Sequence, residues 1–196
     1  MKIGIYGGSF NPIHNGHLII AEYIREYYSL DKIIFVPVGN PSHRENNLLN
    51  KEKRFEMVKE AIKSNEKFEI SDIEIKKEGV SYSIDTLREI IKIYPKAEFY
   101  EIIGEDAAEI LPTWKEIDTL MKMAKFIILH RAGSNFINSY ENAEVVKGPV
   151  IEISATEIRK RVASGKSIKY LVPESIENII LKNRYYRGEQ IDSKGS

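Results

Sequence analysis

The chain has 196 residues, 42% hydrophobic and 30% charged, which is enough apolar content for one well-buried domain and excludes global disorder. Lys plus Arg and Asp plus Glu stand at 29 each, so no whole-molecule field draws in a nucleic-acid polymer or an anionic membrane, and phosphate chemistry must rest on local positive potential. The lack of cysteine excludes a disulfide framework, thiolate catalysis and a cysteine zinc site, and no apolar run nears the roughly 20 residues that span a bilayer, so the expected location is the cytoplasm.

In chain order, Ile3-Gly4-Ile5-Tyr6 reads as a first strand that ends at Gly7-Gly8. Leu18, Ala21, Ile24 and Tyr28 then follow a helical period. The continuous apolar run at 33–36 suits a strand buried on both faces. A helix is predicted over 51–63, a strand at 68–70, an alternating stretch at 73–75 and a helix over 83–94. Strands follow at 99–103 and 126–129, with a helix between them beginning near Thr113. This order predicts a doubly wound, mostly parallel α/β sheet of Rossmann-like form, with the loops after the strands on one ligand-binding edge. Residues 135–148 read as a polar loop and 150–153 as a short apolar run. Helices over 155–163 and 173–183 close a domain spanning 1–187, and 188–196 reads as a polar, disordered tail.

Two helix beginnings carry the chemistry. The first follows Gly7-Gly8-Ser9-Phe10-Asn11-Pro12, where the glycines let backbone approach a phosphate, and offers His14-Asn15-Gly16-His17. The segment matches neither the dinucleotide fingerprint nor the P-loop. Two histidines three apart at a helix start can aim ring N–H groups at one place, with Gly16 leaving room for a ligand; two such ligands are too few for zinc. The second is Ser154-Ala155-Thr156-Glu157, a capping-box pattern, with Arg159 one turn in. Its hydroxyls and forked cation suit a second phosphate cradle.

Together these motifs resemble the HxGH nucleotidylyltransferase superfamily, whose second signature I-S-x-T-x-x-R is met in full by Ile153 to Arg159. Within it the chain is similar to the bacterial nicotinate-nucleotide adenylyltransferases from Lys2 to about Tyr186. Pro41-Ser42-His43-Arg44, Ser81-Tyr82-Ser83-Ile84-Asp85-Thr86, Gly104-Glu105-Asp106 and Leu111-Pro112-Thr113-Trp114 carry the likeness further. Ser9, Asn11 and Arg44 depart from the commoner Thr, Asp and Lys.

The resemblance implies transfer of the adenylyl group of ATP to nicotinate mononucleotide, with pyrophosphate released and magnesium bridging phosphate oxygens. It implies His14 and His17 around the reacting phosphate, Ser154, Thr156 and Arg159 on the β- and γ-phosphates, and Gly7, Gly8, Ser9, Phe10, Gly104 and Asp106 along the adenosine. On the other substrate it implies stacking by Trp114, amides near Thr86 and Trp114 for the carboxylate, Ser83 and Asp85 in the same loop, and His43 and Arg44 at the mononucleotide phosphate. Read without it, Trp114 also fits the apolar face of a helix capped by Thr113, and His130 reads as structural. Pantetheine phosphate or the nicotinamide mononucleotide are the rival acceptors, and a non-catalytic nucleotide-binding module is the rival class.

Overall fold

In a computed structural model, which describes residues 1–41, 48–130 and 136–188, the chain builds a six-stranded parallel sheet. The elements are β1 (Lys2–Gly8), α1 (Asn15–Tyr27), β2 (Lys32–Pro37), α2 (Lys51–Ile62), β3 (Phe68–Ile70), α3 (Ile73–Lys76), α4 (Ser83–Ile93), β4 (Glu98–Gly104), α5 (Glu105–Glu109), α6 (Ile117–Met123), β5 (Lys125–Leu129), β6 (Ala143–Val146), α7 (Ala155–Ala163) and α8 (Glu174–Lys182). The strand order is β3-β2-β1-β4-β5-β6. The chain therefore winds one way from β1 and then, through β4, the other. The strands' C-terminal ends part at the β1–β4 pair, where such sheets bind ligands.

Alternation along the strands makes two core layers. Ile33, Phe35, Tyr100, Ile102 and Ile127 face one side, where they bury Ala21 and Ile24 of α1, Met57 of α2, Ile158 of α7 and Ile176 of α8. Ile3, Ile5, Ile34, Phe99, Ile103 and Phe126 face the other, against Ile84 and Leu87 of α4 and Leu120 of α6. Both faces are covered, which is why these strands read as unbroken apolar runs. No helix among the described residues is long and apolar enough to cross a membrane.

The structure departs from the sequence-based expectation at three places. Ile73-Glu74-Ile75 is a turn of helix, because Glu74 turns inward and accepts from the Thr86 hydroxyl (2.8 Å) and the Gly39 amide (3.3 Å). The helix expected from Thr113 begins only at Ile117. Residues Leu111–Thr113 form a 3-10 turn, the Thr113 hydroxyl donates back to the Ile110 carbonyl (2.7 Å), and Glu116 takes a left-handed backbone (φ 53°) held by Arg88 (2.6 Å). Trp114 thus lies outside any helix, and its capped-helix reading is corrected. Finally, β6 forms at Ala143–Val146, inside the predicted loop, pairing Val145 with Ile128.

Gly39 lies where the β2 exit crosses α3. A Cβ there would stand 2.1 Å from the Glu74 carbonyl oxygen and 2.8 Å from its carbon, both backbone atoms that cannot turn aside. Gly39→Ala should therefore cost about 2–4 kcal/mol of stability in urea unfolding; an unchanged midpoint would contradict this packing.

Candidate active site

The first helix beginning is closed by its two histidines on one another. His14 is the N-cap of α1 with extended backbone (φ −145°, ψ 168°). Its Nδ1 accepts from the His17 amide (3.4 Å), and His17 Nδ1 accepts from the His14 amide (3.2 Å). This is a capping box made of imidazoles, which accounts for the spacing of three. The rings stack with centroids 3.6 Å apart and planes at 21°. Because each Nδ1 accepts, each neutral ring carries its proton on Nε2, so both present an N–H donor at the free end. Gly16 makes room for this pair, since a Cβ there would approach His14 Nδ1 to 3.0 Å, and it also lines the larger of the cavities described below.

Burial keeps both rings neutral. It depresses His14 to about 4, and it holds His17 well below the ordinary histidine range with help from His14. The pair is a set of neutral donors at physiological pH, not a cationic clamp.

The loop before α1 is held from three directions. The buried Asn11 side-chain oxygen accepts from the Leu49 amide (3.2 Å) and the Tyr186 hydroxyl (3.0 Å). Arg54, 1% exposed on α2, donates to the carbonyls of Leu49 (2.8 Å), Ser9 (2.6 Å) and Val38 (2.7 Å). From α7, Arg159 donates to the Asn11 carbonyl (2.7 Å) and to the Thr156 hydroxyl oxygen (3.2 Å). Ser154 caps α7 by accepting from the Glu157 amide (3.2 Å). The two helix beginnings are thus joined through one backbone carbonyl.

Two cavities open at this edge of the sheet and Gly104 borders both; Asn11, Thr156 and Arg159 line neither. The larger, about 710 Å³, is lined by His14, His17, Ser154 and Asp106 together with His130 and the 149–153 segment. The smaller, about 390 Å³, is lined by Gly7, Gly8, Ser9, Ser83 and Trp114, with Glu74 and Glu101. Gly7, Gly8 and Ser9 line the cavity that also holds Trp114, and Asp106 lines the other. The Phe10 side chain is buried at 2% and packs edge-on to His17 (5.0 Å), so it supports the imidazoles from below. Thr86 is buried and spends its hydroxyl on Glu74. Its amide donates to the Tyr82 carbonyl, and that of Trp114 to the Leu111 carbonyl. Asp85 lies outside the cavity lining and pairs with Lys77 (2.8 Å) and Lys115 (3.3 Å), which hold its carboxyl below the ordinary range, the Lys77 hydrogen bond contributing most. It fixes Lys115 over the Tyr82 ring at the cavity rim. His43 and Arg44 lie outside the described residues.

Several groups that shape the site escape a reading of the sequence. Arg54 sits among helix-period residues with nothing to mark it as an organiser. His130 bonds the buried Glu105 carboxylate through Nδ1 (2.7 Å) and borders the larger cavity. Glu101 could have been found, as a lone acid inside an apolar strand.

A cytidylyltransferase-like family model matches residues 5–161, a span that begins within β1 and contains both helix beginnings and the Arg159 link between them. The chain belongs to that family. Its full-length relatives place it among the nicotinate-nucleotide adenylyltransferases. One, "Probable nicotinate-nucleotide adenylyltransferase" of Fusobacterium nucleatum, is 45% identical over 190 residues, covering 93% of this chain and 98% of the relative. Another so named, of Dictyoglomus thermophilum, is 45% identical over 194 residues, covering 95% and 100%. The fold matches that of a Plasmodium falciparum nicotinic acid mononucleotide adenylyltransferase complexed with NaAD, with a TM-score of 0.79 at 23% identity over 94% of this chain and 97% of that one. In this adenylyltransferase-family chain, then, the stacked imidazoles and Arg159 stand where the two family signatures meet.

The depressed His14 sets a sign for acid stability. Between pH 6.5 and about 4 the unfolded imidazole binds a proton that the folded one refuses, so stability is full above 6.5 and falls as the pH drops through that window. From pH 7 to 5 this one group should remove ~2 kcal/mol. His14→Asn, which keeps a cap acceptor, should lose that much less in urea unfolding over the same interval; equal losses would contradict a buried neutral His14.

Proposed function

We propose that the protein transfers the adenylyl group of ATP to nicotinate mononucleotide, forming nicotinate adenine dinucleotide and pyrophosphate. The observation that carries this reading is the junction itself: two helix beginnings tied at the Asn11 carbonyl, one bearing the paired N–H donors that line the larger cavity and the other a guanidinium, with its cap residue Ser154 lining that same cavity. The larger cavity takes the nucleoside triphosphate, and the smaller, with Trp114 at its side, takes the pyridine mononucleotide. We assign the reaction to the cytoplasm, as the cysteine-free composition suits.

The chemistry needs no general base. The attacking phosphate monoester has a second pKa of about 6 and is already largely dianionic at neutral pH. Its oxygen attacks the α-phosphorus in line, the bond to the bridging oxygen of the β-phosphate breaks, and pyrophosphate leaves with the electron pair. Positioning and charge stabilisation supply the catalysis. The Nε2–H groups of His14 and His17 donate to the α-phosphate region, His17 nearest, and their low proton affinity keeps the donors in place through the physiological range. Thr156 and Arg159 hold the β- and γ-phosphates, and Ser154 completes that cradle. Asp106 accepts from the ribose hydroxyls.

Among the described residues no group of three or more His, Asp or Glu side chains could hold a metal ion. Magnesium would come with the nucleotide's phosphates and offset their charge. In the smaller cavity the start of α4 at Ser83 and the Lys115 ammonium at the rim offer positive potential for the substrate's carboxylate. His43 and Arg44 are assigned to the mononucleotide phosphate from their sequence position alone.

Pyrophosphate release should require ATP and magnesium and run faster with nicotinate mononucleotide than with its amide or with pantetheine phosphate. Faster release with either rival would reassign the acceptor, and release with none would leave a nucleotide-binding module. Trp114→Ala should raise the KM for the pyridine nucleotide about tenfold while leaving that for ATP within about twofold, as loss of one ring stack implies. A parallel rise in both would remove Trp114 from the ring.

A further inference from the structure

The smaller cavity has an acidic floor that none of the roles above uses. Along β4, Phe99, Glu101 and Ile103 face the α4–α6 side of the sheet, and the register sets Glu101 between Ile5 of β1 and Phe126 of β5. Glu101 is 5% exposed and lines the cavity, yet no described residue gives it a hydrogen bond. Glu74, 7% exposed and reaching in from α3, lines the same floor with its two oxygens already bonded to Thr86 and Gly39. The other charged groups around this space stand at the rim: Lys115, bound to Asp85, and Asp85 itself, bound also to Lys77. Ile5, Phe126, Ile103 and Ala107 add no charge. Burial, and then the neighbouring Glu74, push the Glu101 carboxyl up to about 8.

Two buried acids to which no cation among the described residues is bonded are costly unless something positive enters. The substrate class proposed above supplies it: a pyridine nitrogen bonded to ribose is quaternary, and its fixed positive charge spreads over the ring. We propose that Glu101, with Glu74, is the counter-charge that recognises the substrate's pyridinium ring, and that Glu101 loses its proton to solvent as the ring enters. The inference rests on the function proposed above and adds a specificity-determining residue to it. In the exchange the Glu101 O–H bond breaks, the electron pair stays on the carboxylate, the proton passes to buffer, and the ring is unchanged. The cavity then matches a zwitterion along its length, with the α4 start and Lys115 toward the carboxylate and the acids toward the ring charge.

Proton release makes binding tighten as pH rises toward about 8 and level off above it, because the free form must give up a proton that the complex does not hold. The test is calorimetric titration of the wild-type protein with nicotinate mononucleotide at pH 7.5 in Tris and in PIPES, whose ionisation heats differ. The heats should differ by the equivalent of roughly half to one proton. Glu101→Gln should abolish that difference and weaken binding about tenfold at pH 8.5, with the gap narrowing at pH 6.5. The ligand phosphate is the same for both proteins, so its own titration cancels. Nicotinamide mononucleotide should release the proton, and its dihydro form, with an uncharged ring, should not. Equal heats in the two buffers for the wild type, or a proton count unchanged in Glu101→Gln, would overturn the inference while leaving the function standing. If the wild type binds no nicotinate mononucleotide, the function reading fails and this one with it. The wild-type measurement decides the matter even if the variant does not fold.

Discussion

The carbonyl of Asn11 accepts a guanidinium N–H from Arg159, 148 residues further along the chain. Through that bond the loop after β1 and the start of α7 become one object. The loop could not hold its shape alone: it leaves the sheet at Gly7-Gly8, turns through a left-handed Phe10 (φ 45°) and must deliver His14 as a helix cap. Its polar groups are satisfied by residues from elsewhere, namely Arg54 of α2, Tyr186 beyond α8 and Arg159 of α7. The C-terminal segment contributes again where the Leu171 carbonyl accepts from the Asn15 amide (2.9 Å) at the first turn of α1. Buried polar groups paired this completely are rigid, and rigidity is what a site that works by positioning requires.

A second constraint governs the electrostatics. The molecule has no net charge and its paired imidazoles are neutral, so under the proposed function attraction to a polyanion comes from oriented N–H groups, helix starts and Arg159. Mutual capping fixes both tautomers at once: each Nδ1 is spent on a backbone amide, which leaves no choice about which nitrogen bears the proton. Donors of that kind do not change state when the pH drifts through neutrality. The smaller cavity has the opposite character: the buried acids Glu74 and Glu101 form its floor, and the one cation among the described residues of its lining, Lys115, is bound to Asp85.

The sheet was legible because its strands are covered on both faces and so announce themselves as apolar runs; β1, β2, β4 and β5 needed nothing more. Where tertiary hydrogen bonds decide local structure, the pattern misled. Ile73-Glu74-Ile75 alternates like a strand and forms a helical turn because Glu74 must meet Thr86 and Gly39. Thr113 and Glu116 have capping-box spacing, but Glu116 is held in left-handed backbone by Arg88. β6 was hidden by the polar sequence around Val145-Val146. At the site, the residue types of the two signatures were readable, whereas the reason for their spacing was not. Nothing in His14-Asn15-Gly16-His17 says that the rings stack, or that Gly16 makes room for His14. Phe10, counted with the adenosine residues, is core, and Gly7 to Ser9 border the cavity beside Trp114.

The central claim is that both helix beginnings grip one polyphosphate chain. A crystal structure with a non-hydrolysable ATP analogue tests it most directly. The account predicts His17 Nε2 and the Arg159 guanidinium within about 2.7–3.2 Å of oxygens on the same triphosphate. An analogue whose triphosphate touches only one of the two, or neither, would contradict it.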